Sequence, residues 1–110
     1  MLFLVELDHV RSGAPLSPQA ARAFIEEVIF PTILRAEELV DERKIVCGGP
    51  VAGRVALRLM IEAESVGDVD QLVTSLPLWP LAETRVTPLI SFGERRQHVQ
   101  KLLESVRASE

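Results

Sequence analysis

The stretch LPLWPLAETRVTPL, Leu76 to Leu89, decides the fold. Pro77, Trp79 and Pro80 crowd one corner, and an alternating run follows at once. Proline has no N–H to donate and its ring crowds the preceding turn, so Pro77 closes whatever helix leads into it. The corner predicts a helix exit, a rigid turn with Leu78 and Leu81 plugging the core, and a last strand over Arg85 to Phe92. Pro88 cannot donate to a ladder, which puts that strand at a sheet edge or on a bulge.

Upstream, Ser65 with Asp68 three residues later reads as a helix start, followed by Val69, Leu72, Val73 and Leu76 on one stripe. RVALRLMIEA, Arg54 to Ala63, is the longest strand candidate. CGGPVAGR, Cys47 to Arg54, lacks phosphate-loop spacing and reads as a hairpin or bulged turn. Lys44 to Cys47 is a short strand. Before it, Ser17-Pro18 opens a helix running through Phe24, Ile25 and Val28, with Pro31 predicting a kink or break and the pattern ending near Arg43. Leu2 to Asp8 is a first strand, and Arg11 to Leu16, with Gly13 and Pro15, is a loop. From Glu94 a terminal helix carries Val99, Leu102, Leu103 and Val106 on one stripe.

The order is βαββαβ plus a C-terminal helix, which predicts an α+β, ferredoxin-like domain over residues 1–110: a four-stranded antiparallel sheet with two helices on one face. Side chains alternate along a strand. Phe3, Val5 and Leu7 with Val55, Leu57, Leu59 and Ile61 therefore form the helix-side face. Leu4, Glu6 and Asp8 with Arg58, Met60 and Glu62 form a mixed face. A face half apolar and half charged fits a second copy across it, which predicts a homodimeric α+β barrel, with the terminal helix latching onto the partner.

Composition narrows the partners. The 110 residues carry 12 Lys and Arg against 16 Asp and Glu, a formal net charge of −4. The basic residues make no stripe, so nucleic acid is disfavoured. Hydrophobic residues make up 47% of the chain, too many for disorder. One cysteine, Cys47, excludes an intrachain disulfide and offers no metal spacing. No apolar run reaches the roughly 20 residues of a membrane helix. MLFLVELDH lacks a basic n-region and meets Glu6 and Asp8 early, unlike a signal peptide. The expectation is a cytoplasmic protein without metal or organic cofactor.

With these elements placed, LPLWPLAETRVTPL resembles the C-terminal signature of muconolactone isomerases, a Leu-Pro-Leu-aromatic-Pro corner leading into a strand that ends near Thr-Pro-Leu. Met1-Leu2-Phe3 is similar to that family's start, and Gly53 falls where a glycine follows the second strand. The resemblance implies the dimeric α+β barrel and a reaction on a small carboxylate or lactone intermediate of aromatic degradation. The departures are specific. The family carries polar groups at the fourth and sixth residues, where this chain has Leu4 and Glu6. An aromatic and an arginine precede the family's second-strand glycine, where this chain has Gly48-Gly49-Pro50. They point to a native substrate other than muconolactone.

Isomerisation of such a compound needs a base beside a carbonyl and a donor for the enolate. Glu6, in a dry barrel interior, and His9, just past the first strand, are the catalytic candidates. Arg58 is the candidate for holding a carboxylate or enolate, and Met60 and Trp79 complete the substrate-binding set. The plainer readings are a Glu6–Arg58 salt bridge inside an interface, a loop histidine, and Trp79 as a packing wedge. Cys47 reads as a small buried hydrophobe, and His98 as an exposed residue of the terminal helix. Three readings stay open: an isomerase-like enzyme, a small-molecule binding or sensing module, and an assembly protein without ligand. A first helix bent at Pro31 would leave a cavity beneath Phe24, Val28 and Ile33.

Overall fold

The computed structural model describes residues 1–11 and 15–110; the Gly13 portion of the expected loop lies outside them. Its strands are β1 (Leu2–His9), β2 (Ile45–Pro50), β3 (Ala56–Glu62) and β4 (Ala82–Leu89), in the order β2-β3-β1-β4 with every neighbouring pair antiparallel. The helices are α1 (Pro18–Phe24), α2 (Phe30–Asp41), α3 (Val66–Thr74) and α4 (Phe92–Ser109). This is the ferredoxin-like βαββαβ arrangement with an added C-terminal helix, as the sequence predicts. β4 is an edge strand, so Pro88 costs the sheet no interior hydrogen bond.

Strand alternation sets the core. Phe3, Val5 and Leu7 of β1 are fully buried, and Leu57, Leu59 and Ile61 of β3 lie beside them. Leu39 of α2 and Val69 and Val73 of α3 cover that face. Ser17, Ser65 and Ser91 cap α1, α3 and α4, each Oγ accepting from the backbone N–H three residues on, at 3.1, 3.2 and 3.0 Å.

Pro31 does not break the first helix. A π-helical turn, Ile25–Ile29, joins α1 to α2, and the Phe30 N–H donates to the Ile25 carbonyl five residues back. The wider turn places Pro31 in the first turn of α2, where a missing N–H leaves no bond unmade and the ring meets no tight α-turn before it. Three further expectations shift. Gly48 to Pro50 belongs to β2 rather than to a turn, and Cys47 is exposed rather than buried. β4 runs Ala82–Leu89 rather than Arg85 to Phe92, starting directly after the corner, and Phe92 opens α4 instead of ending the strand. α3 ends at Thr74, before Pro77 is reached. Within β2, Gly48 sits at φ +128°, and a Cβ there would lie 2.1 Å from the Arg58 carbonyl oxygen. The close approach of β3 therefore requires glycine.

The corner is a 3₁₀ turn, Trp79–Leu81. Leu78 is buried and plugs the core as expected, whereas Leu81 is 43% exposed and does not. One buried hydrogen bond ties the corner to the helix layer: the Leu78 N–H donates to Thr32 Oγ1 at 3.0 Å. Thr32 is 3% exposed, so nothing from solvent replaces that acceptor. Thr32→Val keeps the shape and strands the N–H, and urea unfolding is expected to show a loss of about 1–3 kcal/mol. Thr32→Ser, which keeps the acceptor, should lose clearly less.

Candidate functional site

The sheet separates the sequence-predicted site residues into two places. Glu6 and Arg58 are Cα partners across β1 and β3, and Arg58 Nε lies 3.5 Å from Glu6 Oε1. The Arg58 guanidinium also reaches Asp8, its Nη2 at 3.1 and 3.3 Å from the two carboxylate oxygens, and its Nη1 donates to the Leu57 carbonyl at 2.9 Å. Arg54 adds a second cation on Asp8 at 2.6 Å. Each of these three β-strand side chains is about one-third exposed or less, at 33% for Arg58, 28% for Glu6 and 34% for Asp8. Met60 stands on the same open side, opposite Leu4 and Cys47. The result is a charged row, Glu6 with Arg58 and Asp8, beside an apolar row, Leu4 with Met60.

His9 is on the other side. It shares the alternation of Phe3, Val5 and Leu7, so it faces the helix layer and not Glu6. Its ring stacks at a tilt of 39° against Phe24, with centroids 4.8 Å apart. The two residues border a cavity of about 740 Å³ at the C-terminal end of β1. Its helix wall is Ala20, Ala21, Phe24, Ile25 and Ile29, and Val10, Val55 and Leu81, at the ends of β1, β3 and the corner, also line it. Ile25 and Ile29 are the first and last residues of the π turn, so the irregularity that accommodates Pro31 also shapes the cavity. Of the three residues expected above a cavity, only Phe24 lines this one, because Val28 packs on the core and Ile33 lies farther along α2.

Arg11 is the second polar group at the cavity, a residue that sequence reading treated only as the start of a loop. It lies two residues past the end of β1, where strand alternation no longer assigns a side, so no local signal placed it there. The Val10 N–H donates to the Leu81 carbonyl at 3.0 Å, carrying the β1–β4 pairing one residue past β1 and holding this segment in place. Among the described residues that line the cavity, His9 carries the one imidazole. Trp79 is 40% exposed on the 3₁₀ turn and is not part of the cavity wall. Among the described residues, no group of three or more His, Cys, Asp or Glu could hold a metal ion, and no helix is long and apolar enough to cross a membrane.

Two solved structures share this architecture. One is 5-chloro-2-hydroxyhydroquinone dehydrochlorinase from Burkholderia phenoliruptrix AC1100, in complex with 2,5-dihydroxybenzoquinone. It is 24% identical, with a TM-score of 0.61, over 86% of this chain and 98% of that one. The other is muconolactone isomerase, 21% identical with a TM-score of 0.66, over 83% of this chain and 90% of that one. At these identities the likeness is one of fold, the fold that the Leu76–Leu89 corner predicted. No protein-family model and no curated protein matches the chain.

Arg58 is the only cation within salt-bridge distance of Glu6 among the described residues. Arg58→Met removes that partner and one of the two on Asp8 while keeping the aliphatic stem. A loss of about 1 kcal/mol, the upper range for part-exposed pairs, is expected in chemical denaturation. Asp8→Asn, which touches both arginines, should cost a similar amount and should not add fully to it.

Proposed function

We propose that the protein binds a small carboxylate or lactone in the cavity at the end of β1 and isomerises it by proton transfer, with His9 as the acid–base group. The observation that carries this reading is the placement of one imidazole and one guanidinium at a mainly apolar cavity of ring-binding size. Apolar walls take up the body of a planar ring. The Arg11 guanidinium, at the same cavity, suits a carboxylate or a developing enolate oxygen. His9 removes a proton from the carbon beside the carbonyl, the electron pair delocalises onto oxygen, and the imidazolium returns the proton to the far carbon of the enolate. The double bond moves, and no other reactant is consumed. Both structural neighbours are named for small oxygenated ring compounds, which supports the size and chemistry of the ligand.

On this reading Glu6, Arg58 and Met60 serve assembly. Their open face carries half-buried Leu2, Leu4 and Leu89 beside the ion-pair network, and a second copy packed across it would close the α+β barrel. A binding module without catalysis would use the same cavity, and one assay separates the two.

That assay is solvent-deuterium exchange into muconolactone and related carboxylated lactones, followed by NMR. His9→Gln is expected to lower exchange about 10²- to 10⁴-fold while thermal-shift binding persists. Glu6→Gln should stay within a few-fold of the parent protein, and Ala21→Trp, which fills the cavity, should abolish binding. Exchange that survives His9→Gln, or that Glu6→Gln removes, would sink the assignment of His9. For the assembly face, Leu4→Glu places a like charge beside Glu6 in both copies, and sedimentation velocity should show a shift toward the single chain.

A further inference from the structure

Among the described residues, the last helix has no packing partner within its own chain. α4 spans 18 residues and none of them is buried among the described residues. Phe92 is 97% exposed, and Val99, Leu102, Leu103 and Val106 are each roughly half exposed, between 47% and 63%. Those last four fall at i, i+3, i+4 and i+7, the spacing of a helix face built to pack. The molecule measures 69 × 33 × 23 Å with a radius of gyration of 18.9 Å. A compact chain of this length would have about 13 Å, so α4 projects from the body.

The body has a groove of matching kind. It lies between α2 and β2, encloses about 260 Å³, and is lined by Ile33, Glu37, Val40 and Asp41 of α2 with Gly48 and Gly49 of β2. Two glycines on its floor let a helix approach closely. Ile33 and Val40 stand seven residues apart, as do Val99 and Val106, so both stripes extend for roughly 10 Å. The signs of charge also match. Glu37 and Asp41 border the groove, while Arg96 and Arg107 flank the α4 stripe on its Leu103 side and Arg95 flanks it on the other. β2 and β4 are opposite edges of the sheet, so α4 leaves the body on the side away from the groove.

We infer that α4 of one copy lies in the α2–β2 groove of a second copy, Val99, Leu103 and Val106 against Ile33 and Val40, with its arginines on Glu37 and Asp41. This contact is separate from the open sheet face and from the cavity, and its test reads neither activity nor ligand binding. It joins two different surfaces, so it closes a dimer if reciprocal and builds a ring if not.

In a Cys47→Ser background, two single-cysteine variants, Val40→Cys and Leu103→Cys, are prepared with tags of different mass, mixed and mildly oxidised. The expected product is a disulfide-linked pair carrying one tag of each kind, in excess over either variant alone. Adding Glu37→Lys and Asp41→Lys to the groove variant should reduce that product about tenfold, the scale of one or two charge pairs. Circular dichroism of each variant confirms that the fold persists. Absence of the mixed pair in folded variants would overturn the inference. So would an intrachain disulfide in the Val40→Cys/Leu103→Cys double variant, since α4 would then serve its own groove.

Discussion

A residue on β1 serves either the helix side of the sheet or the open side, because successive side chains of an extended strand point in opposite directions. Everything else in this protein is arranged around that constraint. β1 is a central strand paired on both flanks, so its register is held by β3 and β4 together and a one-residue slip would expose Phe3, Val5 and Leu7. The same register that buries those three sends Glu6 and Asp8 to the open face and His9 to the helix side. A catalytic pair of Glu6 and His9 is thereby ruled out as a direct contact, although the two lie three positions apart in sequence. What looked like one constellation is an ion-pair network on one face and a cavity group on the other.

The cavity exists because the first helix and the corner are both irregular. The π turn Ile25–Ile29 accommodates Pro31 without breaking the helix, and it adds one residue of girth where the helix passes the end of β1. The corner is anchored on its core side through Leu78 and Thr32, which leaves Leu81 to face the cavity instead of filling the core. Each irregularity is held by its own local compensation: a five-back hydrogen bond in one case and a buried threonine acceptor in the other. Neither depends on a ligand, so the cavity is preformed by the chain itself.

The open face and α4 pose a different physical question. Charged side chains there pair in part, with Arg58 shared between Glu6 and Asp8 and Arg54 on Asp8 as well, while Glu83 and Arg85 of β4, opposite Asp8 and Glu6, stay exposed. α4 is helical through its own caps and side-chain spacing while burying none of its apolar stripe. A helix of 18 residues is marginal by itself in water, and its stability usually comes from packing an apolar face. Projecting from the body, α4 leaves its apolar stripe uncovered by its own core.

The order of elements, the Ser17 and Ser65 caps, the edge position of β4 and the separation of Phe3, Val5 and Leu7 from Glu6 and Asp8 were all legible in the sequence. Each follows from local rules: periodicity, capping geometry and the chemistry of proline. The Glu6–Arg58 contact was legible too, because pairing β1 with β3 in this fold leaves few registers. Tertiary structure alone decided that Pro31 would be accommodated by a π turn, that Leu81 would face a cavity, and that Arg11 would join His9 there. It also decided that Cys47 would be exposed on an edge strand. Those outcomes depend on how far one layer stands from another, and a distance between layers is set by many side chains at once. No single stretch of sequence encodes it.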